Sequence, residues 1–408
     1  MKYVIFTGNI GDMGGAQMYV CNKAKYMKKK GWDVSVFSVA SSEIHLDELK
    51  KYTGLIIPEM LYLPNCYKKK ERESITERLV DLIGEDLDSE CIIESNTANL
   101  SLWAELLAER INARHFCFLL DEEFSIDKSL LDFFKYKDRR NELAFIREKS
   151  YRLLFGEDSV ENVSLLKATC NNVTEDISEL RFDSIWETQY DWAICSIGRL
   201  DKGYIPNVIT GLKEFAMNNP DKMMAYIFIG DQSKDHSPNM HDVIDKELNT
   251  LLNVCVYDMG YTYPIPNNIF PHIDVGIASS GSCTVFWKNN VTTISIDAKD
   301  YEPIGVLGYT TSRTIYRQDE KSLPLSDLLE KILNQDYLKN MKYSECKAKS
   351  YDETFEAHMF FIDNMNSCKQ YFDVNGIKLK SMHSKMRKLI LSVVGFRGYQ
   401  LLKKIVRK

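Results

Sequence analysis

The sequence lacks the cysteine spacing of a metal or redox site. Its ten cysteines are scattered over 408 residues with no Cys-x-x-Cys pair. Several, including Cys91, Cys117 and Cys195, fall inside apolar runs. That pattern reads them as reduced, buried, small hydrophobes rather than as disulfides or zinc ligands. Proline and glycine are few (10 and 20), and there is no low-complexity tract or short-period repeat. With 44% hydrophobic and 27% charged residues, the composition is that of an ordinary globular protein, long enough for two domains with full cores. No apolar run reaches transmembrane length, and the opening run Tyr3–Phe6 is too short for a signal peptide, so a cytoplasmic location is expected.

Acid is missing from the end of the chain. Residues 374–408 hold ten Lys/Arg and no Asp or Glu, which leaves 42 basic and 58 acidic residues elsewhere. The overall net charge of −6 therefore hides a body at −16 and a strongly basic tail. The tail has helical periodicity, with Met382, Met386, Leu389, Ile390 and Val393 on one face. After a break at Gly395-Phe396-Arg397-Gly398, Leu401, Leu402 and Ile405 continue the stripe between basic residues. Such a helix suits an anionic membrane surface, as a partner of residues 382–408. A helix packed on the N-terminal domain with a solvated basic edge is the alternative. Nucleic acid is not expected, because the body is acidic and no recognition motif is present.

What is present is alternation. Apolar runs at Tyr3–Phe6, Val34–Val39, Leu55–Ile57, Cys91–Ile93 and His115–Leu120 predict strands, and Gln17–Lys30, Glu71–Ile83 and Leu100–Arg110 predict helices between them. Residues 126–155 read as mostly helical. A second series begins with strands at Trp192–Ile197, Met224–Ile229, Val254–Tyr257, Val275–Ala278 and Thr292–Ile296, with helices at Asn207–Asn218, Met240–Leu251 and Leu325–Leu333. The fold class is α/β with two parallel sheets. The expected divisions are 1–180, a linker at 181–191, 192–345, one or two closing helices within 346–373, and the tail 374–408.

Two glycine loops each follow a strand and open a helix. A helix N-terminus offers backbone N–H groups and a positive dipole end, which suit phosphate. In the first loop, Gly8, Gly11 and Gly14 only superficially resemble a dinucleotide turn. The spacing is not G-x-G-x-x-G, and the second strand ends Phe37-Ser38-Val39-Ala40 without a ribose-binding acid. A nicotinamide- or flavin-dependent oxidoreductase stands as an alternative on this loop. Gly14 and Gly15 permit close backbone approach, or serve only as a packing turn. In the second loop, Gly198-Arg199-Leu200-Asp201-Lys202-Gly203, Arg199 can clamp phosphate oxygens and Lys202 can add a point charge. A solvated loop is the alternative there. Cations fixed at a departing diphosphate stabilise the transition state for sugar transfer.

These segments together resemble the GT-B glycosyltransferases, especially the retaining family-4-type enzymes that use nucleotide sugars. Gly14-Gly15-Ala16-Gln17 is similar to their Gly-Gly-Ala-Glu loop, with Gln17 in place of Glu. Ile197-Gly198-Arg199-Leu200 with Lys202-Gly203 is similar to their Gly-Arg-Leu…Lys-Gly segment, though shorter. Ile227–Asp231 resembles the next strand and its Gly230-Asp231 turn, and Val256–Tyr261 resembles the strand ending beside the nucleobase at Gly260-Tyr261. Ile273–Ser280 resembles the strand leading to the donor loop. The resemblance, spanning residues 1 to about 335, implies two Rossmann-like domains. It also implies a nucleoside-diphosphate-sugar donor and a saccharide or lipid-linked acceptor, as in surface polysaccharide assembly.

The departure from the pattern is acid again. The family's two donor-loop glutamates are absent from Ser279–Lys288. Gly281, Ser282, Cys283 and Thr284 still offer N–H and hydroxyl groups to a diphosphate, and Glu302, in the later Asp300–Gly305 loop, is the carboxylate that could substitute. A non-catalytic GT-B-like subunit binding a partner or glycan is the alternative this favours. On the acceptor side, Glu94 and Asp121-Glu122-Glu123 follow strands, with Asp121 or Glu122 expected to orient or deprotonate an acceptor hydroxyl. His115 begins a strand and is expected to be structural. No metal or cofactor is expected, since Arg199 and Lys202 can neutralise the diphosphate.

Overall fold

The computed structural model describes residues 1–11, 14–40, 46–83, 90–120, 127–156, 163–170, 174–177, 180–232, 237–346, 350–366 and 368–406. The chain forms two compact units, Met1–Thr169 with Lys349–Lys408, and Cys170–Ala348.

The first unit runs β1 (Lys2–Asn9), α1 (Gly15–Lys29), β2 (Asp33–Ala40), α2 (Asp47–Lys50), β3 (Thr53–Ile56), α3 (Lys69–Ile83), β4 (Cys91–Ser95), α4 (Ala98–Arg110), β5 (Arg114–Leu119), α5 (Leu131–Arg139), β6 (Leu143–Phe145) and α6 (Glu148–Phe155). Its six-stranded sheet is parallel throughout, in the order β3-β2-β1-β4-β5-β6. Strands covered on both faces read as continuous apolar runs, and β4 is buried along its whole length. Trp103 of α4 is fully buried and donates its indole N–H to the Tyr62 carbonyl at 2.8 Å. The stretch expected to be mostly helical contains β6, three buried residues pairing with β5 at the sheet edge. Three residues are too few to show a period.

The second unit runs β7 (Thr174–Glu175), α7 (Leu180–Asp183), β8 (Trp192–Ile197), α8 (Ile205–Asn218), β9 (Met224–Ile229), α9 (Met240–Leu248), β10 (Val254–Asp258), β11 (Ile265–Pro266), β12 (Val275–Ala278), α10 (Gly281–Lys288), β13 (Thr292–Ile296), β14 (Pro303–Val306) and α11 (Leu325–Asn334). The sheet order is β10-β9-β8-β12-β13-β14, parallel except for β14, which pairs antiparallel with β13 at the edge. The expected linker at 181–191 is part of this unit's core: Phe182 and Ile185 are fully buried among Ile197, Ile227 and Ile269. The short pairing of β7 with β11 moves the division to near residue 170.

The chain then rejoins the first unit. The expected closing helices reduce to one, α12 (Tyr351–Asp363), opened by a Ser350–Glu353 capping box. Its Phe355 and His358 pack against Tyr19 and Tyr26 of α1. The tail forms α13 (Met382–Val406), kinked at Gly395 where φ is 66°. The expected break therefore falls at its first residue.

Candidate functional site

In each sheet the strand order reverses beside the first strand, between β1 and β4 and between β8 and β12. Open α/β sheets bind ligands outside the carboxyl ends of the strands at such a reversal. In the second unit these two ends are the Gly198–Gly203 loop after β8 and the Ser279–Gly281 turn into α10. They lie side by side: a Cβ placed on Gly198 would stand 3.8 Å from Ser282 Oγ.

Backbone contact fixes the loop. Gly198 and Gly230 hold φ of 150° and 157°, and a Cβ on Gly230 would lie 1.8 Å from the Gly198 carbonyl oxygen. Gly198 N–H donates to Ile229, Leu200 N–H to Asp231 and Gly230 N–H to Gly260, at 3.0, 3.0 and 2.8 Å. The Gly260 N–H in turn donates to Asp258 Oδ1 at 2.8 Å, so Gly230 and Gly260 set the shape of the loop rather than offering N–H groups. Arg199 Nε lies 3.2 Å from Asp201 Oδ1, yet among the described residues that oxygen accepts no hydrogen bond, so the pair is held by charge. Lys202 is held below the ordinary lysine value, first by partial desolvation and then by the Arg199 cation, with Asp201 pulling it back. Two cations pressed together against one acid favour a bound anion.

α10 faces the same crevice with its N-terminus. Ser280 takes φ 61° before the helix, makes no side-chain cap, and no acid stands in the first turn. Gly281, Ser282 and Thr284 are partly exposed, and the first N–H groups of a helix have no intrahelical acceptor. Cys283 must be withdrawn from the expected set. Its thiol is fully buried and pushed up to about 12 by desolvation, and its N–H donates to the Ser280 carbonyl. Glu302 stands near the start of α8, with Asn207 Nδ2 at 3.4 Å from its Oε1, and the neighbouring Tyr301 ring covers Gly203. Tyr261 is half-buried one residue beyond Gly260.

A titratable group here escaped the sequence reading. His241 of α9 meets Asp231 Oδ1 at 2.9 Å and Asp258 Oδ2 at 2.6 Å, tying the turns after β9 and β10 together. Partial burial pulls this imidazole down, but its hydrogen bonds to Asp231 and Asp258 outweigh that and raise it. Its partners lie too far away in sequence to form a motif.

In the first unit, Gly14 caps α1 in extended conformation, and Gly15 and Ala16 are exposed at the helix start. Gln17 is not available to a ligand as expected. It is buried, and its amide donates to the Asn9 carbonyl, fastening the turn to the end of β1. Glu94 is also withdrawn from the acceptor side. It is fully buried and accepts from Tyr3, Tyr19 and Asn96 at 2.5, 2.7 and 2.7 Å. His115 is structural, bonded to Glu105 at 2.6 Å and Ser95 at 2.9 Å in the core. Asp121 and Glu122 lie outside the described residues.

By sequence the chain matches no protein-family profile and no curated protein. By fold it is similar to a glycosyltransferase from Rickettsia africae, with a TM-score of 0.53 at 14% identity over 96% of this chain and 99% of that one. HepE from Anabaena, solved with UDP-glucose, superposes at 0.49 and 12% identity over 96% and 99% of the two chains. A UDP-GlcNAc 2-epimerase from Neisseria meningitidis, bound to UDP-GlcNAc, superposes at 0.48 and 14% over 89% and 100%. The chain has the GT-B fold: two Rossmann-like units followed by C-terminal helices. Identity at this level speaks for the fold alone.

Proposed function

We propose that the chain transfers a sugar from a nucleoside-diphosphate donor to a saccharide or lipid-linked saccharide, in the assembly of a surface polysaccharide. The observation that carries this reading is the meeting of the Arg199–Lys202 loop with the α10 N-terminus at the reversal of the second sheet. Breaking the bond between sugar and diphosphate leaves negative charge on the departing nucleoside diphosphate. Arg199, Lys202 and the first N–H groups of α10 are fixed donors for that charge. On this reading the neutralisation needs no metal, and transfer persists in a chelator. Asp121 and Glu122 are assigned to the acceptor hydroxyl, and the exposed apolar face of α13 to a membrane surface where a lipid-linked acceptor would reside. Among the described residues, no helix is long and apolar enough to cross a membrane.

The test is release of nucleoside diphosphate from a panel of nucleotide sugars, with and without lipid-linked acceptor. Release that falls about a hundredfold in Arg199→Ala/Lys202→Ala supports the reading, a loss of the size seen when a transition-state donor is removed. The absence of any carboxylate in 279–288 favours a second reading, a non-catalytic subunit of the same fold. That reading predicts no release from any donor.

A further inference from the structure

The first unit contains a cavity of about 640 Å³ where the tail crosses the C-terminal edge of the sheet. Asn99 enters it from the first turn of α4, just after β4, and Asp127 and Lys128 from the segment after β5. Lys380, His383 and Arg387 enter from the tail. The lining is cationic, with Asp127 the one carboxylate among its described residues. That carboxylate is fully engaged. Oδ1 accepts from the Ser129 N–H and hydroxyl at 2.9 and 2.6 Å, and Oδ2 from the Ser381 and Ser384 hydroxyls at 2.9 and 2.5 Å. Asp127 thus fastens the tail, and among the described residues it does not neutralise the cations. Lys380 keeps one long ion pair, 3.5 Å from Asp132, with both groups well exposed, a contact of small worth. Arg387 lies over the Tyr62 ring at 4.6 Å, and its Nε is buried with no hydrogen-bond partner among the described residues. A buried guanidinium N–H without an acceptor is costly unless a ligand completes it.

The same helix points an apolar face outward. Ser384 and Leu391 are buried, while Met382, Met386, Leu389 and Val393 are 72%, 57%, 66% and 77% exposed, with Lys385 and Lys388 beside them. An anion pocket at the root of an exposed apolar and basic helix matches an amphiphile with an anionic head. We infer that the cavity takes the terminal phosphate or diphosphate head of a membrane lipid, clamped by Arg387, Lys380 and Lys128. The inference goes beyond the proposed function: the phosphate of a lipid-linked saccharide bridges lipid and sugar, whereas a terminal phosphate belongs to a lipid of the bilayer itself, so the cavity would hold the chain at the membrane rather than bind its acceptor.

The test is flotation of the full chain with phosphatidylcholine vesicles carrying phosphatidic acid, with its terminal phosphate, or phosphatidylglycerol, whose phosphate is doubly esterified. Phosphatidic acid vesicles should bind more strongly. Arg387→Gln/Lys380→Gln should cut that binding about tenfold, the cost of losing charge-assisted phosphate contacts, and change phosphatidylglycerol binding less than twofold. Lys128→Gln, on an exposed side chain, should act in the same direction and guards against a folding defect in the double variant. Lys385→Gln/Lys388→Gln should weaken both vesicles alike. Equal loss on both vesicles in the cavity variants, or no loss on phosphatidic acid, would overturn the site. Stabilisation by inorganic pyrophosphate without vesicle binding would overturn the lipid source. No nucleotide sugar is used, so a chain that floats as expected but releases no nucleoside diphosphate removes sugar transfer and keeps this site.

Discussion

Arg199 and Lys202 were legible as a pair because they follow an apolar strand within one short loop, where residue type and distance along the chain coincide. Their setting depends on Gly230, whose hydrogen faces the Gly198 carbonyl. Gly230→Ala would drive a methyl into backbone that cannot turn aside. It should cost about 3 kcal/mol or more, in the range of overpacking with backbone strain, and should weaken nucleoside diphosphate binding as well. A urea midpoint equal to that of the unsubstituted chain would show that the turn is looser than described. Gln17 and Cys283 show where residue type misleads. Both lie in loops suited to phosphate, but one amide is drawn back to Asn9 and one thiol is drawn into the core. Nothing local in the sequence says which way either side chain turns. His241 was invisible for the complementary reason, since its two carboxylates come from two other elements.

Among elements, the long strands and helices declared themselves, because buried parallel strands are continuous apolar runs bounded by turns. The misses were short or interrupted: β6 has three residues, and β14 contains Pro303 and Gly305. The tail read correctly as a helix broken at Gly395, and its packing on the N-terminal domain stood as one of two alternatives; which of its residues enter the core was not legible. Val374 and Leu391 are buried in the first unit's core, Phe396 and Tyr399 pack on Tyr62, and Asn65 Nδ2 donates to the Val374 carbonyl at 2.8 Å. Ending the chain at residue 373 should therefore destabilise the first unit by roughly 5 kcal/mol, given about 1.5–3 kcal/mol for each buried large apolar side chain. The check is the thermal unfolding midpoint of the truncated chain. An unchanged midpoint would mean that the tail rests on the body without supporting it. Membrane association is accordingly better probed by Met386→Gln/Leu389→Gln, which alters only exposed side chains.

At the scale of the molecule, two histidines, one in each unit, should answer pH in opposite senses. His115, in the first unit, is held down to about 4 by burial and by Lys137, against the pull of Glu105. Between pH 6.5 and 4 the unfolded chain binds the proton and the folded chain does not, so stability falls on acidification, by about 2 kcal/mol at pH 5. His241, in the second unit, is raised by Asp231 and Asp258. Its contribution is complete below the unfolded value near 6.5 and is lost as pH rises through the folded value. Urea titrations at pH 5, 7 and 8.5 with His115→Gln and His241→Gln separate the two. His115→Gln should flatten the acid limb and His241→Gln the alkaline limb, and a swap of the two would contradict the assignment. The division of labour proposed for the chain places the donor diphosphate in the second unit, on Arg199, Lys202 and the start of α10. Calorimetric titration of the full chain with UDP and GDP tests that placement most directly. Saturable binding of at least one of them, weakened about a hundredfold or more in Arg199→Ala/Lys202→Ala, as expected for two charge-assisted phosphate contacts, is the predicted result. Absence of binding by either, or binding unchanged in the double variant, would contradict it.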